Sequence, residues 1–423
     1  MGKELTIDYV NIRQVVFGPR SELKGGVLTV NKDELIDLTK SPVFGSFDIK
    51  IASPGEDCRI IGIMDSMQPR CKPEAPDTSY PGILGKMAPA GEGKTVALRG
   101  VLVSEIYYPK LNIKWYLDMC EPCSKYSFYS RHHHVILDAT PGEGISDITY
   151  AEALKRASLT ANVYLAKLGI GQRIDKSEVF SHRALEGKEA EGLPRVAYIN
   201  VQMASHDTWN FLYYGQSALG YLPTVIQPTE ILDGAVIYRY WDSTYQLQDE
   251  PYVRELLSRH GKDINFVGVV FANNVMKIDD KNAMTMMAAS LCKHTLRADC
   301  VMVNKSGMGH GQLDATMAFN WSQTFGMPGA VNLAGVSNDV PGDMLVVADP
   351  KVDAVINSGR DFVLTHPKVK RLIGEGTNVP CLLGHDPWGP FTRTTNCGLV
   401  AVYGQLGTYF QTEDDDIDWT VAV

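Results

Sequence analysis

Cysteine is scarce in this chain and absent from its middle. The 423 residues include eight cysteines, and none of them lies between Cys123 and Cys292. Small domains held together by disulfides concentrate their cysteines in a short chain, so we expect these residues to be thiols or metal ligands. The middle of the chain has no thiol chemistry of its own.

Long apolar runs and an excess of positive charge are also missing. No apolar run approaches the roughly 18 residues that cross a membrane, and the N-terminus shows no hydrophobic signal segment. The formal net charge of −9 argues against nucleic acid or an anionic membrane as the partner. We therefore expect a cytoplasmic protein. We also expect two or three domains, because 423 residues with 44% apolar content can build a large core.

The first third of the chain has the sequence pattern of a mostly β domain. Short β-rich runs are separated there by glycine and proline. These runs are residues 27–30, 47–51, 59–63, 95–103 and 135–137. We expect an N-terminal β-rich domain over residues 1–145.

After residue 145 the pattern changes to alternating helices and strands. Thr149 and Glu152 form a capping-box signature, and apolar residues at helical spacing follow as far as Leu168. The later predicted strands are 196–201, 264–271, 300–303, 330–333 and 344–347, with helices over 281–296 and 313–324.

This alternation is typical of a parallel, Rossmann-like sheet. The predicted fold class is α/β (α+β overall), with the β-rich domain followed by two Rossmann-like α/β halves, residues 146–263 and 264–423. Active sites in such sheets lie at the carboxyl ends of the strands.

A group of cysteines and histidines has the spacing of a metal site. Cys120 and Cys123 are followed by His132, His133 and His134. Two thiolates in a tight turn can bind one ion, and imidazoles can complete a tetrahedral shell. Strand alternation would send two of the histidines to one face. All five residues are candidate ligands of a divalent transition metal, with zinc favoured by these ligand types. The alternatives are an exposed rim, core histidines or a redox dithiol.

His206 and Asp207 follow a predicted strand that ends near Val201. A histidine beside an acid at the carboxyl end of a strand suits a metal ligand or a general base, so both are candidate catalytic residues. The alternative is an aspartate that caps a helix and happens to have a histidine neighbour.

A glycine-rich turn over residues 304–314 joins a predicted strand to a predicted helix. Backbone N–H groups at such a helix start can hold a carboxylate or a phosphate. The candidate substrate-binding residues are Lys305, Ser306, Gly307 and Gly309. His310 adds an imidazole and is a candidate catalytic residue. The alternative is a tight turn without a ligand.

Several blocks spread over nearly the whole chain carry a family resemblance. They are residues 52–60, 64–70, 82–85, 91–100, 228–234 and 259–269. These blocks resemble the α/β proprotein of component B of the glycine, sarcosine and betaine reductases, and the D-proline reductase proprotein is also similar. In that family a mid-chain cysteine self-processes to a pyruvoyl group, which captures the substrate amine.

The chain departs from this family at the processing site. The corresponding stretch, residues 227–242, has no cysteine, and the pair Asn396-Cys397 lies far beyond it. We therefore expect no pyruvoyl group and an unprocessed chain. Glu230 precedes the lost site and is a candidate catalytic acid or base.

Three hypotheses for function follow from the resemblance and this departure. The chain could be an enzyme subunit that cleaves a C–N or similar bond of a small amine or amino-acid-like substrate, with a metal replacing the pyruvoyl carbonyl. The cleavage would then be reductive, or hydrolytic on an amide-like molecule. It could instead be a reductase component that works with a second subunit bearing a thiol or selenol, or a non-catalytic scaffold for that subunit.

Overall fold

The computed structural model describes residues 3–108, 115–125, 127–203, 210–238, 243–305, 310–333, 354–357, 362–374 and 388–395. The strands are β1 (Lys3–Asn11), β2 (Gln14–Phe17), β3 (Glu22–Lys24), β4 (Val27–Val30), β5 (Phe44–Ala52), β6 (Cys58–Met67), β7 (Arg70–Cys71), β8 (Gly93–Arg99), β9 (Val101–Ile106), β10 (Trp115–Asp118), β11 (His133–Pro141), β12 (Lys176–His182), β13 (Arg195–Met203), β14 (Phe211–Tyr213), β15 (Gln216–Ser217), β16 (Thr224–Ile226), β17 (Val236–Tyr238), β18 (Asn265–Asn274), β19 (Cys300–Lys305), β20 (Gly329–Leu333), β21 (Val355–Asn357), β22 (Phe362–His366), β23 (Arg371–Ile373) and β24 (Phe391–Thr395).

The helices are α1 (Lys32–Thr39), α2 (Asp147–Lys167), α3 (Pro228–Leu232), α4 (Thr244–Gln248), α5 (Pro251–Arg259), α6 (Ile278–Ser290) and α7 (His310–Thr324). Helix α6 continues into a π-helical turn, Leu291–Thr295. In the described part of the chain, none of the helices combines the length and the apolarity that crossing a membrane requires.

The β-rich region contains two larger sheets with the orders β12-β1-β8-β7 and β10-β6-β9-β11-β5. The run predicted over residues 95–103 is two strands, because the chain turns at Gly100. This residue has a φ of +93°, and a Cβ there would lie 2.5 Å from the carbonyl oxygen of Ile12. Only glycine tolerates that conformation and that contact. Strand β23 returns from late in the chain to pair in parallel with β6.

Helix α2 packs against this region and begins slightly earlier than predicted. Ser146 is its N-cap, and its hydroxyl accepts a hydrogen bond of 3.2 Å from the backbone N–H of Thr149. The residue predicted to start the cap therefore lies inside the first turn. The helix buries a charged side chain, Lys155, among its apolar residues.

The second region is built on one sheet with the order β16-β18-β13-β19-β20-β21. All its neighbours are parallel except β16, which is antiparallel to β18. The predicted α/β class and the parallel sheet are confirmed. The sheet combines strands from both predicted α/β halves, while the boundaries near residues 145 and 263 stay predictions. The predicted strand over residues 344–347 lies outside the described residues.

The two faces of this sheet pack into different cores. On β13, Ile199 and Val201 face a core that includes Ala288 of α6 and Phe319 of α7. Tyr198 faces the opposite core, which is formed with residues of α3 and α5. Because side chains alternate along a strand, each polar residue near the carboxyl ends can be assigned to one of these faces.

Candidate functional site

Three asparagines form a row across neighbouring parallel strands near their carboxyl ends. Asn200 of β13 pairs in register with Asn304 of β19, and Asn332 of β20 donates a hydrogen bond of 2.8 Å to Oδ1 of Asn304. All three are fully buried. Buried parallel strands are usually continuous apolar runs, and buried amides destabilise a core unless they are hydrogen-bonded. The row is therefore a polar layer at the edge where α/β proteins place their sites.

The asparagine row continues into a buried tyrosine and a buried glutamate. Asn304 Nδ2 donates to the hydroxyl of Tyr198 at 3.0 Å, and that hydroxyl donates to Oε1 of Glu250 at 2.7 Å. Burial raises the pKa of Glu250 to about 8, although hydrogen bonds from Val253 and Tyr198 oppose the shift. A carboxyl group that keeps its proton near neutral pH is thus linked to the polar layer.

A second polar group lies on the other face of the sheet, against α6 and α7. Lys281 Nζ contacts Oδ2 of Asp314 at 2.6 Å and Oδ1 of Asn274 at 3.3 Å. Burial raises the pKa of Asp314 to about 7, and the ammonium of Lys281 opposes that shift. The carboxyl edge therefore carries polar side chains on both faces.

The structure describes only some of the residues predicted to form the site. Lys305 is the last residue of β19 and is fully buried at the carboxyl end of that strand. Those outside the described residues are His206, Asp207, Ser306, Gly307, Gly309 and the side chain of His310. In sequence they follow β13 and β19 directly, and their predicted roles stay predictions.

Glu230 is nearly buried and makes contacts that hold the fold together. Its side chain accepts a hydrogen bond of 3.2 Å from the backbone N–H of Gln227 and closes the capping box of α3. The hydroxyl groups of Tyr213 and Tyr214 also donate to its carboxylate, at 3.1 and 2.9 Å. Burial, together with this carboxylate, raises the pKa of both tyrosines. The predicted role of Glu230 as an acid or base stays a prediction.

A buried charge network that the sequence analysis missed includes Thr244, which follows the stretch that corresponds to the processing site. Lys155 makes ion pairs with Asp65 and with Glu105, the latter at 2.7 Å. Thr244 also donates hydrogen bonds to Asp65. Burial raises the pKa of Asp65 to about 6, against the opposing charge of Lys155. In the sequence, the pattern that could have revealed this network is Lys155 on the otherwise apolar face of the predicted helix.

The three consecutive histidines do not fit the predicted zinc site. Both ring nitrogens of His132, His133 and His134 lie 2.8–3.3 Å from protein hydrogen-bond partners. The partners are Phe128 O and Tyr245 OH for His132, Ser53 Oγ and Arg13 O for His133, and Ser104 Oγ and Tyr129 O for His134. Burial lowers the pKa of His134 to about 3. These rings are hydrogen-bonded parts of the fold.

The two cysteines of the predicted zinc site add no support. Cys120 is a half-buried thiol whose pKa is raised by burial, and the side chain of Cys123 lies outside the described residues. Across the described ranges, no three side chains of His, Cys, Asp or Glu converge as a metal site would require.

Comparison with known proteins agrees with the resemblance seen in the sequence. Residues 3–386 match the family model of glycine/sarcosine/betaine reductase component B subunits. The relatives include the glycine reductase complex component B subunits alpha and beta of Peptoclostridium acidaminophilum, 30% identical over 394 residues, which are 90% of this chain and 91% of the relative.

Two further relatives from the same organism extend the comparison. The sarcosine reductase complex component B subunit alpha is 30% identical over 90% of this chain and 91% of its own. The betaine reductase complex component B subunit alpha is 26% identical over 86% of each chain. No solved structure matches the chain. The chain belongs to the family of glycine, sarcosine and betaine reductase component B subunits.

Proposed function

We propose that this chain is the subunit of a reductase complex that binds a small amine or amino-acid-like substrate for cleavage of its C–N, or a similar, bond. The observation that carries the proposal is the match to component B subunits over residues 3–386, a range that includes all the strands of the parallel sheet. The buried amides and ionisable groups at the carboxyl edge of that sheet are hydrogen-bond donors and acceptors of the kind that a small zwitterion requires.

The proposal includes a second subunit that carries the redox thiol or selenol. Reductive cleavage consumes an electron pair, and a thiolate is the form of cysteine that donates one readily. Burial raises the pKa of Cys58 to about 12 and that of Cys71 to about 11. The pKa values of Cys120, Cys292 and Cys300 are raised by burial as well. None of these five described thiols suits that role, which supports an external donor.

The chain's own residues do not fit the pyruvoyl group of the family. Residues 227–242 include no cysteine that could be converted. Ser243 follows this stretch directly; it is fully buried as the N-cap of α4, and its hydroxyl is hydrogen-bonded to Tyr129. Metal-assisted cleavage, hydrolysis of an amide-like molecule and a purely scaffolding role stay hypotheses, and no ligand cluster in the described residues favours the first two.

The test is reductase activity of the complex that co-purifies with this chain from its native source. Glycine, N-methylglycine and N,N,N-trimethylglycine are offered with a dithiol reductant, and release of the amine is measured. We expect release that requires the reductant, this chain and its partners together. The matched control is the same partner subunits, purified from cells that do not make this chain. Full turnover in that control contradicts the proposal, as does amine release by the isolated chain without reductant.

A further inference from the structure

Asn274, Lys281 and Asp314 meet from three different elements at the carboxyl edge of the parallel sheet. Asn274 is the last residue of β18, Lys281 lies in the first turn of α6, and Asp314 lies in the second turn of α7. Each is at most 1% exposed. Lys281 Nζ contacts one polar atom of each of the other two side chains, at 3.3 Å and 2.6 Å. The lysine thereby pairs with one polar atom of the amide and one of the carboxylate.

The second polar atom of each of these planar groups is unsatisfied. Within the described part of the chain, Asn274 Nδ2 and Asp314 Oδ1 are buried and have no hydrogen-bond partner. One is a donor and the other is an acceptor. A buried polar group without a partner destabilises a fold, so native proteins retain few of them without a reason.

We propose that these two atoms bind the two polar ends of an amino-acid-like substrate. Asp314 Oδ1 accepts a hydrogen bond from an N–H of the substrate amine, and Asn274 Nδ2 donates one to the substrate carboxylate. Lys281 holds both groups in place and supplies a positive charge near the carboxylate. This inference rests on the proposed function and names the residues that recognise the substrate.

The charge of the three side chains favours a ligand that has both a donor and an acceptor. A simple anion would be repelled by the Asp314 carboxylate, and a simple cation by the Lys281 ammonium. A zwitterion matches both. Lys305 adds a second ammonium on the same face of the sheet, because it pairs in register with Val201, which faces α6 and α7. An ordered water also has donors and acceptors, and it is the competing occupant.

The proposed contact predicts a preference among amines. Glycine and N-methylglycine both carry N–H groups that can reach Asp314, whereas the quaternary nitrogen of N,N,N-trimethylglycine has none. Binding of N,N,N-trimethylglycine would therefore leave Oδ1 of Asp314 buried without a hydrogen-bond donor. A lost hydrogen bond to a charged group corresponds to about a tenfold to hundredfold weaker affinity. We expect trimethylglycine to bind more weakly than glycine by that factor.

The experiment is calorimetric titration of the full-length chain with the three compounds. Asp314→Asn should weaken glycine binding by about tenfold or more and should abolish the preference over trimethylglycine. The matched control is Asp280→Asn, which removes a negative charge from an exposed position in the first turn of α6. That control should bind glycine as the native chain does.

A second variant separates loss of recognition from loss of folding. Asp314→Asn alone leaves the buried Lys281 ammonium without its countercharge. The double variant Lys281→Gln/Asp314→Asn is neutral, so it leaves no buried charge without a countercharge, and it places two amides opposite each other. It should unfold cooperatively and show the same loss of preference.

Three outcomes overturn the inference. The first is that trimethylglycine binds as tightly as glycine. The second is that both variants keep native affinity, because the unpaired atoms hold an ordered water only. The third is that none of the three compounds binds. The proposed function is tested separately, because reductant-dependent turnover by the complex can be present when any of these binding results is obtained.

Discussion

Thr244 donates two hydrogen bonds to the carboxylate of Asp65, 179 positions away in sequence. The backbone N–H contacts Oδ1 at 2.6 Å and the hydroxyl contacts Oδ2 at 2.6 Å. Lys155 of α2 makes an ion pair with the same carboxylate. One buried acid therefore joins β6, α2 and α4.

Thr244→Val should destabilise the fold through this contact. The substitution keeps the shape of the side chain and its backbone hydrogen bond. It removes the hydroxyl, which donates to the buried Asp65 carboxylate and accepts a hydrogen bond of 3.0 Å from the backbone N–H of Tyr238. We expect the free energy of unfolding to fall by about 1–3 kcal/mol in urea denaturation. Thr160→Val is the control, because that hydroxyl donates to Arg156 O of its own helix near the surface, at 2.8 Å. Equal effects of the two substitutions would refute a special role for the contact.

Glu250→Gln should change how stability depends on pH. The pKa of Glu250 is about 8 in the folded chain against 4.5 for the free side chain, so the folded state keeps a proton that the unfolded state loses. The stability contributed by Glu250 is full below pH 4.5 and is lost as the pH rises to about 8. Relative to Glu250→Gln, the native chain should lose on the order of a few kcal/mol across that range.

The measurement for this glutamate is denaturant unfolding of both chains at pH 5 and pH 8. Glu255→Gln is the matched control, since Glu255 is exposed on the same helix, α5, and should leave the pH dependence unchanged. A stability difference between the native chain and Glu250→Gln that is the same at both pH values would rule out a raised pKa for Glu250.

Replacing His132 and His134 by alanine should reduce stability rather than metal content. Each ring has hydrogen-bond partners at both nitrogens and is buried, so each substitution should lower the free energy of unfolding by about 1–3 kcal/mol. Metal per chain, measured by elemental analysis, should not change. His294→Ala is the control at an exposed position. Loss of one equivalent of metal in the double variant would restore the zinc hypothesis.

The chain should remain a single polypeptide. It has no cysteine between Cys123 and Cys292 for the family's processing reaction. Mass spectrometry under denaturing conditions should show one species of 46.6 kDa. Two fragments, one of them beginning with a pyruvoyl group near residue 242, would contradict the prediction.

The sequence predicts the elements of the fold better than their partners. The β-rich runs and the alternating pattern identify most strands and the parallel sheet, because both depend on local periodicity. Nothing local predicts that β1 lies between β8 and β12, or that β23 pairs with β6. Such pairings depend on side-chain packing between segments far apart in the chain.

The same limit applies to the candidate site. Its place at the carboxyl ends of the strands follows from the fold class, and Lys305 lies at that edge. The contact between Lys281 and Asp314 joins two helices and has no local signature. The histidine run had the spacing of a metal site, but its hydrogen-bond partners include Ser104 and Tyr245, which the spacing does not reveal.

The pairing of β23 with β6 affects how any break in the backbone would be detected. Arg371–Ile373 form a strand beside Cys58–Ile60, and Thr244 is bonded to Asp65 across the same span. After a backbone break between residues 238 and 243, the two polypeptides would therefore stay associated through strand pairing and hydrogen bonds, without a covalent link. They would elute from a sizing column as one particle, and would separate only when the sheets themselves are unfolded.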